Sequence, residues 1–120
     1  MEENKDISLS EMLEMSRVLW EKNKERWSPM EPQYGKNFIL YMIEEIGEVI
    51  QIIKKKGEEE IMQSPEVRER FIEELCDVMM YYSDVLNRFK ITPNEFAEKY
   101  YEKFNKNMKR DYEKQYKETV

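Results

Sequence analysis

The sequence predicts an all-α, bundle-like fold of four helices, in one domain covering residues 1–120. Three observations carry that expectation. Apolar residues recur at three- and four-residue intervals over long stretches, the period of one helical face. Two segments, Ser64-Pro65-Glu66 and Thr92-Pro93-Asn94-Glu95, set a capping hydroxyl before a proline and an acid, the order in which a helix begins. With only 3 Gly and 4 Pro beside 38% charged residues, the composition suits long amphipathic helices better than a turn-rich sheet.

The first helix starts at a serine cap, Ser8 or Ser10, and runs to about Trp27, with Leu13, Ser16/Arg17 and Trp20 at helical spacing and Glu11 and Glu14 in its first turn. Ser28 to Gly35, with two prolines and a glycine, is a loop. The second helix spans about Asn37 to Lys56, and its stripe of Ile39, Met42, Ile43, Ile46, Val49, Ile50 and Ile53 is expected to be buried. Gly57, after three lysines, stops it. The third helix opens at Ser64-Pro65 and reaches about Phe89, with a stripe of Phe71, Ile72, Leu75, Met79, Tyr82 and Leu86. The fourth opens at Thr92-Pro93 and runs to about Tyr112, and the tail after Asp111 is expected to fray.

Composition limits the chemistry. The absence of histidine excludes serine-histidine and cysteine-histidine nucleophile pairs, histidine-ligated zinc and Glu-x-x-His di-iron sites, leaving carboxylates, amines, hydroxyls and a metal. A formal charge of −6 opposes binding to a nucleic-acid polymer, although a divalent cation reverses the sign of an acidic pocket toward a small anion. Cys76 is the lone cysteine, so no intrachain disulfide forms and the cytoplasm is the expected location. The acidic start is unlike a secretory signal, and no apolar run approaches the roughly 20 residues that cross a bilayer.

The second helix carries Glu44, Glu45 and Glu48, and the third carries Glu73, Glu74 and Asp77. Acids three positions apart lie one turn along on nearly the same face, so each helix presents a pair able to grip one ion. Two antiparallel helices would bring the pairs together around a hard cation such as magnesium or manganese. Either pair alone is uninformative in a glutamate-rich chain. Both, however, border apolar stripes, where unpaired acids are expensive to desolvate.

In that order, YMIEEIGEVIQIIKKKG followed by EELCDVMMYYSDVL resembles the Glu-Glu-x-x-Glu and Glu-x-x-Asp motifs of the all-α nucleoside triphosphate pyrophosphohydrolases, which include MazG, dimeric dUTPases and dCTP pyrophosphatases. The resemblance covers Phe38 to Leu86 well and the ends loosely. It implies metal ligation by Glu45, Glu48, Glu74 and Asp77, with Mg²⁺ as the cofactor and Mn²⁺ as its substitute. Glu44 or Glu48 would take a proton from the attacking water. The implied reaction cleaves a (d)NTP between its α and β phosphates to a (d)NMP and pyrophosphate, in nucleotide-pool house-cleaning.

Lys103, Asn107 and Arg110 fall on one face of the fourth helix. A solvated basic face is the equal alternative there, but a Lys-x-x-x-Asn element near the end of family members favours phosphate contact for Lys103 and nucleoside contact for Asn107. Tyr81, one turn after Asp77, suits sugar or base contact as well as it suits packing, and Trp27 is placed to stack on a base. The lysines Lys54 to Lys56 stand where base-selective relatives carry a more specific residue, which leaves base identity open.

Asp77 lies off the Leu75 stripe, and 9 Met, 8 Tyr and 5 Phe exceed what a small bundle easily buries, so a homodimer or homotetramer joined through helix faces is expected. Two rival readings stand beside the pyrophosphohydrolase. One is an enzyme like phosphoribosyl-ATP pyrophosphohydrolase, and the other is a non-catalytic helical interaction module.

Overall fold

A computed structural model describes residues 6–110 of the chain. Helix α1 is Leu9–Asn23, a single 3₁₀ turn is Pro32–Tyr34, α2 is Gly35–Gln63, α3 is Pro65–Arg88 and α4 is Pro93–Lys109. The four expected helices are present, and no strand occurs among the described residues. The capping residues account for three of the starts. Ser8 accepts from the Glu11 backbone N–H at 3.1 Å while Glu11 Oε1 accepts from the Ser8 N–H at 2.8 Å. Thr92 and Glu95 form the same reciprocal pair ahead of Pro93, and the Ser64 hydroxyl caps α3 through Val67 N–H ahead of Pro65.

Helix α1 ends at Asn23 rather than at Trp27, although Trp27 N–H still donates to the Asn23 carbonyl at 3.0 Å in a turn that extends it. Gly57 does break the second helix, at φ 83° and ψ 157°, a region that favours glycine. The chain then makes one further turn and a half to Gln63. That short continuation turns Ile61 back onto Ile52 and Val67, and Ile53 and Phe71 pack against the three. The expected Tyr112 end of α4 and the tail after Asp111 lie outside the described residues.

Helix α3 is the centre of the molecule: α2 runs along one side of it, α1 crosses another, and Phe96 of α4 sets its ring edge-on to Tyr82 at 6.0 Å. Phe38 with Tyr81, Glu45 with Glu74, and Ile52 with Val67 meet in that order, so α2 and α3 run antiparallel. The α1–α3 contact is fixed by Leu13, which is fully buried, and by the Asn87 carboxamide, which donates to the Leu13 carbonyl at 2.9 Å.

The stripes of α2 and α3 require correction. Val49 is buried as expected, but so is Ile52, which the stripe omits, while Ile39, Ile43, Ile46 and Ile50 are exposed. On α3, Leu86 is buried as expected and Phe71 and Tyr82 are partly buried, but Ile72, Leu75 and Met79 are exposed, and Val67 and Val85, which the stripe omits, are buried. Glu45 of α2 meets Glu74 and Asp77 of α3 between the two helices, with the Ile52–Val67 cluster further along, while the exposed isoleucines of α2 and Ile72, Leu75 and Met79 of α3 face outward. Helical periodicity identifies an apolar face but not the surface that covers it. The radius of gyration is 17.8 Å, against about 14 Å for a compact domain of this length. The accessible surface is 9998 Å², against about 7,000 Å² for a compact monomer of this mass. Among the described residues no helix is long and apolar enough to cross a membrane.

Candidate metal centre

Glu45 on α2 and Glu74 and Asp77 on α3 converge where the two helices face one another. One carboxylate oxygen from each lies within 4.8 Å of those of the other two, and all three side chains are partly buried. The helices fix this. Glu74 and Asp77 are one turn apart on α3, and the antiparallel register brings Glu45 opposite them. Burial, a hydrogen bond shared with Glu74, and the nearby Asp77, Glu74 and Glu48 charges hold the Glu45 carboxyl above the usual glutamate range. Three oxygen donors at this spacing suit a hard divalent cation, magnesium or manganese, and among the described residues no nitrogen or thiolate ligand accompanies them.

Glu48 and Glu44 flank Glu45 and are exposed. Glu48 is not among the three converging carboxylates, although its charge acts on Glu45. Glu73 is exposed, as a solvated surface acid should be.

Beside the acids stands a cluster of rings. Tyr41 precedes Glu45 by one turn on α2, and Tyr81 follows Asp77 by one turn on α3. With Phe38 they form a set whose centroids are 5.3 to 6.2 Å apart. Burial, then the Glu45 and Asp77 charges, push the Tyr81 phenol up, which places its hydroxyl in the field of the acids. Phe38 and Tyr41 were not legible as site residues beforehand. Tyr41 stands four positions and Phe38 seven positions before Glu45, on the same face of α2, and that spacing was the available signal.

The remaining candidates are more dispersed. Trp27 is exposed in the loop, while Trp20 is partly buried and its Nε1 donates to the Ser28 carbonyl at 2.8 Å, as befits an anchor. On α4, Lys103 is exposed and the Asn107 Oδ1 is buried without a hydrogen-bond partner among the described residues, and Arg110, at the helix C-cap, is partly buried.

Sequence reading missed the polar end of α3. Ser83, Asp84, Asn87 and Arg88 are all buried, and Arg88 is wholly so. Burial pushes the Asp84 carboxyl up against the opposing pull of Arg88, with which it is paired.

A family model describing the MazG nucleotide pyrophosphohydrolase domain matches residues 33–110, a span that takes in all of α2, α3 and α4. No curated protein and no solved structure matches the chain.

Proposed function

The chain belongs to the MazG nucleotide pyrophosphohydrolase family, and from that membership we propose a single-domain, Mg²⁺-dependent hydrolase that cleaves a nucleoside triphosphate to the monophosphate and pyrophosphate. The observation that carries the metal-dependent reading is the convergence of Glu45, Glu74 and Asp77 to within 4.8 Å. These three would hold the cation, and Glu48 is its fourth ligand in this reading. A bound divalent ion supplies charge compensation for the triphosphate and activation of water.

The chain's own residues do the rest. Glu44, exposed beside the ligands, or Glu48, itself a ligand in this reading, accepts the proton of the attacking water on a carboxylate oxygen. Tyr81 and Tyr41 line the side of the acids on which the nucleoside rests, and Trp27 offers a further ring for the base. Lys103 and Arg110 meet the phosphates from α4, and the Asn107 Oδ1 accepts from the nucleoside. Removal of unwanted nucleotides from the cytoplasmic pool is the role this chemistry fits.

Association of at least two chains is part of the same proposal. Ile39, Ile43, Ile46 and Ile50 of α2 and Ile72, Leu75 and Met79 of α3 are each 38 to 55% exposed, a continuous apolar face that water disfavours. A second set, Val18 and Leu19 on α1 with Tyr101, Phe104 and Met108 on α4, supports a dimer of dimers. The test of function is a nucleotide panel read by pyrophosphate release in Mg²⁺. Release from at least one triphosphate is expected. A panel of canonical, modified and phosphoribosyl nucleotides that yields no pyrophosphate overturns the reading.

A further inference from the structure

We propose that Arg88 is a positioning residue, holding the 24–34 loop and the Phe38–Tyr81 ring cluster in one fixed arrangement beside the acidic centre. The proposal rests on the pyrophosphohydrolase reading for its catalytic consequence. The geometry is independent of it.

Arg88 has no exposed surface. A buried guanidinium is a poor way to gain stability, since well-packed apolar side chains often do as well or better, whereas its planar fork sets directions that an apolar group cannot. Each of its three nitrogens donates, in four of the five N–H directions. Nε and Nη2 donate to the two carboxylate oxygens of Asp84, one turn earlier on α3, which fixes the side-chain rotamer. Nη1 donates to the Pro29 carbonyl at 2.6 Å and more distantly to that of Ser28 at 3.4 Å. The face of the group lies on the Phe38 ring, 3.7 Å from its centroid.

The loop is held through its main chain. Three consecutive carbonyls, those of Ser28, Pro29 and Met30, accept from the side chains of Trp20, Arg88 and Lys90. The loop's path is therefore set from α1 and the end of α3, and Trp27 is left exposed. On its other side Arg88 touches Phe38, which touches Tyr81, whose hydroxyl feels the charges of Glu45 and Asp77. One buried cation thus links the loop bearing Trp27 to the rings beside the acids. Loss of that link changes where the nucleoside rests and leaves the acidic centre intact.

The test compares wild type with Arg88→Lys, Arg88→Met and the double variant Asp84→Leu/Arg88→Met, which removes the buried ion pair altogether. A remote core variant, Val67→Ala, controls for lost stability. Each is assayed for Mn²⁺ affinity by calorimetry, for amide exchange across residues 24–34, and for KM and kcat on the best nucleotide. Expected for the Arg88 variants are unchanged Mn²⁺ affinity, loop exchange faster by about tenfold or more, and KM raised about tenfold with kcat nearly constant, the pattern of lost binding. Val67→Ala leaves KM unchanged. The double variant recovers thermal stability without recovering KM, which a merely structural role would not allow. Should the single variants fail to fold, the double variant decides. Wild-type loop exchange and KM in any folded variant lacking Arg88 overturn the proposal. If the wild-type chain hydrolyses no nucleotide, the functional reading has failed, and the exchange data alone uphold or overturn the clamp.

Discussion

Replacing Glu45 with glutamine should change stability in opposite directions with and without metal. The three carboxylate oxygens lie within 4.8 Å of one another. At that separation two unit charges repel by about 3.5 kcal/mol at an effective dielectric of 20, and by about 0.9 kcal/mol in water. Because the site is only partly buried, the lower figure is the better guide. Glu45→Gln removes two such pairs, so the metal-free variant gains about 1–2 kcal/mol. For a domain of this size that is a Tm increase of about 4–8 °C. Saturating Mg²⁺ reverses the order. At 100 times Kd the wild type gains about 2.7 kcal/mol, and the variant, lacking one of the three donors, gains much less. Thermal melts in EDTA and in a magnesium series measure both arms. A Glu45→Gln protein that melts below wild type in EDTA would refute the repulsion argument, and equal magnesium shifts in both would refute the ligand assignment.

Two further outcomes follow from the same geometry. Ile43→Glu, at a residue 55% exposed in the middle of the α2 apolar face, should dissociate the assembly by placing a carboxylate in the interface, seen as a fall in mass by light scattering; a wild type that is already monomeric near 14.8 kDa contradicts the interface. The Asp84 carboxyl is held above its ordinary 3.8 by burial, so the folded state binds its proton more tightly than the unfolded state. Its contribution to stability is present at low pH and is lost as pH rises through the folded value. Denaturation curves taken at rising pH from the ordinary 3.8 upward should show this decline in wild type and a flatter profile in Asp84→Leu/Arg88→Met; identical slopes would contradict it.

Local signals in the sequence proved sufficient for the helices. Ser8, Ser64 and Thr92 cap them, Pro65 and Pro93 open two of them, and Gly57 breaks one, because each acts through its own backbone within a single turn. The pairing of Glu45 with Glu74 and Asp77 was likewise legible, since spacing on two antiparallel helices determines it. The outward orientation of Ile39, Ile43 and Ile46 was not. A periodic pattern gives the direction of an apolar face and carries no information about what covers it. Arg88 was hidden for a different reason. An arginine in the last turn of a helix reads as a solvated partner of the helix dipole, and only the folded path of Ser28 to Met30, some 60 residues earlier, supplies the carbonyls that make its burial tolerable. Asn87, which bonds the Leu13 carbonyl and accepts from Arg17, was lost in the same way.

We propose above that Glu45, Glu74 and Asp77 form one metal centre for nucleoside triphosphate hydrolysis. Its most direct test is pyrophosphate release from the best nucleotide by wild type and Glu74→Gln, each with Mg²⁺ and after EDTA. Wild type should be active only with the ion, and Glu74→Gln should lose about a hundredfold or more of the rate while remaining folded, within the range expected when a preorganised charge is removed from a catalytic site. Full activity in EDTA, or a Glu74→Gln protein that turns over nucleotide at the wild-type rate, would contradict the account.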